Sequence, residues 1–300
     1  MDRSVPLQLT ERLADRIEAS LRSSSCEELA ELLWKLRRRW SVDAPRAELI
    51  QQARELELIE PRQDADLVLT PLGAKFSDSL TEYVYWKQRG KRHHSSEEVD
   101  ALRVERLSGK RILEVGCGSG VNLLSLQGCA DVVGVDVEPL YLQAASIFAR
   151  LEGLAKPRMV CALAENLPFR DSAFDLVLFP GSLPYMRIET ALREAARVLR
   201  LGGRAIAVQS DLAQMFGLRA RQRGWKLLAP GTLLRESRAF LGMVMYPWAG
   251  RALLKSFDPI HVTRSRTCRW LSRAGLRVNE QETCTVSHEV CYVADKLGRN

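Results

Sequence analysis

Between residues 110 and 210 the chain alternates short apolar runs with stretches of helical spacing, and this alternation constrains the fold more than any other feature. The runs are RILEVGC, VVGVDV, RMVCAL, FDLVLF and RAIAVQS. A helix begins near residue 119, and EPLYLQAASIFARL and TALREAARVLR supply two more. Near-continuous apolar runs belong to strands covered on both faces, and parallel neighbours need a crossover that is usually a helix. The pattern predicts an α/β fold, a doubly wound and mostly parallel sheet with helices on both faces. LRVNEQETCTV and HEVCYVADK, preceded by the helical TRSRTCRWLSRAG, bring the expected count to seven strands.

The first of these strands runs straight into a glycine-rich turn, ILEVGCGSG, residues 112–120. Gly116, Gly118 and Gly120 permit positive φ and close approach of a ligand to the backbone, and the helix that follows turns its first amides toward that ligand. A glycine trio alone also fits a dinucleotide-binding turn, or a tight turn that holds nothing. The second strand ends at Asp136. A carboxylate there can accept hydrogen bonds from both hydroxyls of a ribose. Alternatively it caps the helix that starts near Glu138.

The GxGxG spacing, with Glu114 two positions before Gly116, resembles motif I of class I S-adenosyl-L-methionine-dependent methyltransferases. The resemblance is strong over 110–210 and weaker over 260–300. It implies that Gly116, Cys117, Gly118 and Gly120 pass under the methionine part of the cofactor, that Glu114 and Val137 belong to the same site, and that Asp136 takes the ribose. ALAENLPFRDSAFDLVLF, residues 162–179, resembles the family's adenine segment, in which an aspartate accepts from the adenine amino group. Leu163 stands at that position here. The adenine contacts implied are then the Ala164 backbone N–H, a Glu165 acceptor and apolar packing against the ring. Asp175 is expected to be structural. FPGSLPYM, residues 179–186, follows the fourth strand at its carboxyl end, where open parallel sheets bind ligands. Pro180 is therefore a cofactor-side residue, and Tyr185 a candidate pocket lining.

Residues 1–86 read as helices followed by a short ribbon. Leu9, Leu13 and Ile17 share one helical face, and Leu29, Leu32, Leu33 and Leu36 another. Asp43 can cap a helix with Pro45 in its first turn, LVLT is strand-like, and TPLG opens a further helix. Helix, turn, helix and ribbon ending LTPLGAKFSD resemble a winged-helix module, over about 26–86. Many small-molecule O-methyltransferases carry such a module at the N-terminus, where it serves dimerisation and roofs the substrate pocket. Residues 87–109 are a polar linker, helical near its end, and 110–300 form the methyltransferase domain with a helical lid insertion at 211–255.

Charge is uneven: residues 1–110 sum to −1, 111–210 to zero and 211–300 to +8. The lid holds Met215, Phe216, Trp225, Phe240, Met243, Met245, Tyr246 and Trp248, which either line an apolar pocket or form the lid's own core. Its arginines, Arg219, Arg221, Arg223, Arg235 and Arg238, either draw an acidic acceptor or face solvent. The seven cysteines include no CxxC pair, and His93–His94 has no acidic or cysteine partner at ligand spacing, so no metal site is expected. No apolar run is long enough to span a membrane and the N-terminus lacks a signal core, which points to a cytoplasmic protein. His261 and His288 are candidate general bases, but no catalytic residue is assigned.

The leading expectation is methylation of a small molecule, with oxygen favoured, by a chain that also forms a homodimer. The alternative is an enzyme that methylates RNA or protein through its basic last third. A winged-helix DNA-binding regulator ranks lower, because the candidate recognition helix Arg46–Glu60 holds two arginines against four glutamates, which repel phosphate. A decayed site signalled by Leu163 is disfavoured by the intact glycines and Asp136.

Overall fold

The computed structural model describes residues 9–23, 26–38, 46–61, 67–91, 102–210, 263–286 and 289–298. Nine helices are described: α1 Glu11–Ser23, α2 Cys26–Arg37, α3 Ala47–Glu55, α4 Pro71–Gln88, α5 Val104–Leu107, α6 Val121–Ser125, α7 Pro139–Leu151, α8 Ile188–Val198 and α9 Arg264–Arg273. The described strands are β1 Ile59–Pro61, β2 Leu67–Leu69, β3 Arg111–Val115, β4 Asp131–Asp136, β5 Met159–Cys161, β6 Phe174–Pro180, β7 Leu199–Ser210, β8 Leu276–Val278, β9 Cys284–Val286 and β10 Glu289–Lys296. These elements fall into two compact units. One takes residues 1–94, 117–127 and 136–161, and the other 95–116, 128–135 and 162–300.

In the first unit the N-terminal helices do not close a core of their own. Leu13, Ile17 and Leu21 recur at helical spacing along α1 and are buried, and the helix packs on α7. α4 starts where the sequence predicts. Thr70 accepts the Gly73 N–H at 2.9 Å and Pro71 occupies the first turn, where its missing N–H costs nothing. Its inner face carries Phe76, Leu80, Tyr83 and Trp86, all essentially buried. Tyr83 stacks on Phe148 of α7, with ring centroids 4.3 Å apart and planes 4° apart. Trp86 finds a partner for its indole N–H in Ser125 Oγ of α6, at 2.7 Å. Burying each such side chain stabilises by about 1.5–3 kcal/mol, so α4, α6 and α7 hold one another. β1 and β2 pair antiparallel, in the helix, helix, ribbon order read from the sequence. The Asp43 cap and Pro45 lie outside the described residues, and α3 begins after Arg46 without a side-chain cap.

The second unit holds the sheet. Its strand order runs β4-β3-β6-β7-β10-β8, with β9 paired to β10. β3 is parallel to β4 and β6, and β6 to β7. β10 is antiparallel to β7, β8 and β9. Counted with β5 of the first unit, the described strands from β3 to β10 number eight, not seven. LRVNEQETCTV, expected as one strand, is two: Asn279 Oδ1 accepts the N–H groups of Gln281 and Glu282, and this side-chain turn separates β8 from β9. Gly202 and Gly203 belong to the strand that follows α8. Leu199 already pairs with Phe174, and the register shifts before Leu176, so both glycines lie within the irregular start of β7. Gly203 is needed there, because a Cβ would come within 2.8 Å of Arg200 O.

One glycine locks the ribbon to α4. A Cβ on Gly73 would lie 1.8 Å from Leu58 O, the same carbonyl that accepts the Thr70 N–H. Gly→Ala in a helix normally stabilises by about 1 kcal/mol. Here the sign reverses: Gly73→Ala is expected to lower stability by about 1–3 kcal/mol, as overpacking does. Thermal melting checks this, and an unchanged or raised midpoint would contradict the described contact.

Candidate cofactor site

In the second unit, β3 ends in a crowded corner. Four of its five residues, Ile112 to Val115, are buried, and Glu114 is only 1% exposed. Gly116 follows at φ +71°, its N–H bonded to Val135 O at 2.7 Å. A Cβ on it would lie 2.4 Å from Cβ of Ser182. Ser182 itself donates from Oγ to Val115 O at 2.5 Å. Glycine is therefore required both for the left-handed backbone and for the neighbour.

The segment 162–187 is pinned from α8. Glu194 accepts the Leu167 N–H at 2.9 Å, while Arg197 donates to Phe169 O and Leu167 O and pairs with Asp171. Ala164 is buried and Leu163 is 49% exposed. Glu165 is already engaged, its Oε1 accepting the Arg187 N–H at 2.6 Å. Asp175 behaves as a structural residue: it accepts the Arg111 N–H at 2.8 Å and pairs with Arg200 at 2.8 Å. Pro180 closes β6 and is half-buried. Tyr185, in a short 3-10 turn, is exposed.

The first unit holds the rest of the glycine loop. Cys117 is buried, so a ligand meets its backbone rather than its thiol. Gly118, at φ +52°, donates its N–H to Asp136 Oδ2 at 2.9 Å. The other oxygen of Asp136 accepts the Glu138 N–H at 3.0 Å. Asp136 thus bonds to the residue that precedes α7, a helix without a side-chain cap, and ties down the glycine loop as well. The backbone N–H groups of Gly118, Glu138 and Val137 all bond to this carboxylate, and an ionised carboxylate offers about four acceptor sites in all. Capacity for a ligand hydroxyl is left. Burial pushes the Asp136 pKa up, against the pull of its backbone bonds to Glu138, Gly118 and Val137, and nearby Glu138 adds to the rise. Val137 beside it is 52% exposed. Gly120, at φ +71°, opens α6, and a Cβ there would lie 2.9 Å from Met159 Sδ.

Sequence reasoning missed Glu82. This α4 residue accepts through Oε2 from Ser119 Oγ at 2.7 Å and from Ser119 N–H at 3.3 Å. A Cβ on Gly118 would lie 2.8 Å from the same oxygen. No local motif marks Glu82, because it reaches the loop only through the packing of α4. The expected lid at 211–255, the pair His93–His94, and His261 and His288 all lie outside the described residues. Among the described residues, no helix is long and apolar enough to cross a membrane.

Part of the chain is similar to known proteins. Residues 113–207 match the family model described as a methyltransferase domain. The uncharacterised methyltransferase YcgJ of Bacillus subtilis is 33% identical over 100 residues, covering 33% of this chain and 40% of that protein. The O-methyltransferase cnsE of Penicillium expansum is 34% identical over 147 residues, covering 43% and 53%. The chain spans about half or less of the length of these relatives. Among solved structures, the [4+2]-cyclase SpnF aligns with a TM-score of 0.51 at 19% identity, over 75% of this chain and 95% of that one, a likeness of fold. The segment matched, residues 113–207, runs from β3 into β7 and includes the glycine loop and Asp136.

Proposed function

We propose that the protein transfers the methyl group of S-adenosyl-L-methionine to a small molecule, with oxygen the favoured acceptor atom. The observation that carries this reading is the Asp136 carboxylate, fixed by the Gly118 and Glu138 amides and with acceptor capacity left for a ligand hydroxyl. That is the chemistry a ribose diol needs. The glycines of the loop leave backbone, not side chain, facing the ligand. Glu114, Gly116, Cys117, Gly118, Gly120, Val137, Ala164, Glu165 and Pro180 complete the proposed cofactor set. With Leu163 exposed at the usual aspartate position and Glu165 Oε1 bonded to Arg187, apolar packing is the contact best suited to the adenine ring.

The cofactor supplies an already activated methyl group. What remains for the protein is to hold an acceptor in line with it and keep water out. Relatives support oxygen as acceptor: cnsE is named an O-methyltransferase, as is the malonyl-[acyl-carrier protein] O-methyltransferase of Halorhodospira halophila. In the same reading, residues 1–86 form a winged-helix-like module for dimerisation and for roofing the pocket, and the lid arginines favour an acidic acceptor. A second reading follows from SpnF, whose name is that of a cyclase: the fold does not dictate the reaction. Formation of S-adenosylhomocysteine in the presence of an acceptor separates the two.

The first test is calorimetric titration with S-adenosylmethionine. We expect micromolar binding that Asp136→Ala weakens about tenfold or more, the effect of losing charge-assisted hydrogen bonds. Absence of binding by both S-adenosylmethionine and S-adenosylhomocysteine would sink the cofactor assignment.

A further inference from the structure

Glu82 is a carboxylate in search of a cation. Its Oε2 is anchored by both donors of Ser119, and Oε1 has no hydrogen-bond partner among the described residues. No lysine, arginine or histidine among them forms an ion pair with it. Its charged neighbours on the packed elements are mostly of its own sign: Asp78 on α4 and Asp136 at the end of β4. Glu82 also acts electrostatically on Tyr141 of α7 and on Arg89, which follows α4. Water reaches the residue, yet crowding protein strips hydration from the carboxylate. This desolvation, aided by Asp78 and Asp136 and opposed by the Ser119 bonds, pushes its pKa up to about 7. A site of this kind is completed by a cationic group that brings its own N–H donors.

We propose that Glu82 receives the α-ammonium at the amino-acid end of the cofactor, so that α4 of the N-terminal helices, and not the glycine loop alone, selects the ligand. The inference rests on the cofactor reading above and adds a named contact to it. Asp136 and Glu82 bond to consecutive loop residues, Gly118 and Ser119. A ligand whose ribose lies on Asp136 then has a second carboxylate, Glu82, one loop residue away. Of the groups attached to that ribose, adenine is neutral and the sulfonium has no N–H to donate. The ammonium has three donors and a full charge, which match the open Oε1.

Three ligands separate this contact from its rivals. S-adenosylmethionine and S-adenosylhomocysteine both carry the ammonium, only the first carries the sulfonium, and 5′-methylthioadenosine carries neither. Binding of each is measured by calorimetry at pH 8 for the wild type and Glu82→Gln, which keeps an acceptor for Ser119. We expect losses of about tenfold or more for both amino-acid-bearing ligands, the size of a charge-assisted contact, and less than about twofold for 5′-methylthioadenosine. Loss for S-adenosylmethionine alone would assign Glu82 to the sulfonium and overturn the proposal. Equal loss for all three would make Glu82 a support of the loop, and no loss would remove it from the site; each overturns the proposal. Failure of the wild type to bind any of the three would instead remove the cofactor reading, and this contact with it.

A pH series gives a second readout that needs no variant. A carboxylate titrating near 7 is largely protonated at pH 6 and ionised at pH 8, while a ligand ammonium with an ordinary α-amino pKa of about 7.7–8.0 loses only part of its charge by pH 8. Wild-type affinity for S-adenosylhomocysteine is expected to rise several-fold between pH 6 and 8, with affinity for 5′-methylthioadenosine nearly flat. Parallel profiles for the two ligands would overturn the proposal. The same titration sets the sign for folding. The protonated, stabilised form is lost as pH rises through about 7, so Glu82→Gln should melt no lower than the wild type at pH 8. That comparison confirms that the variant is folded.

Discussion

The stacking of Tyr83 on Phe148 is the contact on which the first unit depends. It joins a helix from the beginning of the chain to one that follows β4, and around it gather Phe76, Leu80 and Trp86 on one side and Ala144 and Ile147 on the other. Polar groups at the margin are satisfied in the same act: Tyr83 with Glu152, Glu152 with Lys91, Tyr141 with Asp78, and Asp78 with Arg37. A buried phenol or carboxylate left unpaired costs about 1–3 kcal/mol, so these bonds keep the seam from being a liability. One consequence is functional. Glu82 sits immediately before Tyr83 in sequence, and its position on the loop is therefore set by aromatic packing that has no chemical role of its own.

The glycine loop illustrates how little freedom a ligand-facing turn has. Gly116, Gly118 and Gly120 all have positive φ, and at each an added Cβ would come within 3 Å of a neighbour. Backbone conformation and lack of space demand the same residue. The loop is held by carboxylates, Asp136 at Gly118 and Glu82 at Ser119. Two acids close to one turn repel each other and raise each other's affinity for protons. In the absence of a partner this arrangement opposes folding above neutral pH. Such a cost is tolerated where a cationic ligand removes it, as at many functional sites.

Much of this was legible in the sequence because it is local. Strand β3, the turn after it and Asp136 lie within 26 residues of one another, residues 111–136, and periodicity plus glycine spacing suffice to find them. The start of α4 was equally plain, since Thr70 and Pro71 carry their own capping signal. The split of LRVNEQETCTV into two strands was missed because an alternating run gives no warning that Asn279 folds its side chain back on the following amides. The linear boundary drawn after residue 86 also hid how the N-terminal helices complete their core, because α6 and α7 arrive from far along the chain. Glu82 was invisible for the same reason: among the glutamates of the first 110 residues, only tertiary packing distinguishes it.

Leu163 shows how a departure from a family pattern is read once geometry is known. A decayed adenine site would be expected to collapse, covering its apolar residues or rearranging the segment that bears them. Instead Leu163 keeps about half of its surface open to water, in a segment fastened on its far side by the Glu194 and Arg197 bonds. Exposed leucines occur singly on many surfaces and need no explanation by themselves. This one is held by a braced segment at the position where the sequence resemblance places the adenine ring. An aromatic base laid against it would remove apolar area from water and gain dispersion contacts. Under the proposed cofactor reading, leucine in place of aspartate would exchange a directional hydrogen bond for a non-directional contact. Such a site holds the base less selectively by its amino group and relies more on what is grasped at the ribose and beyond.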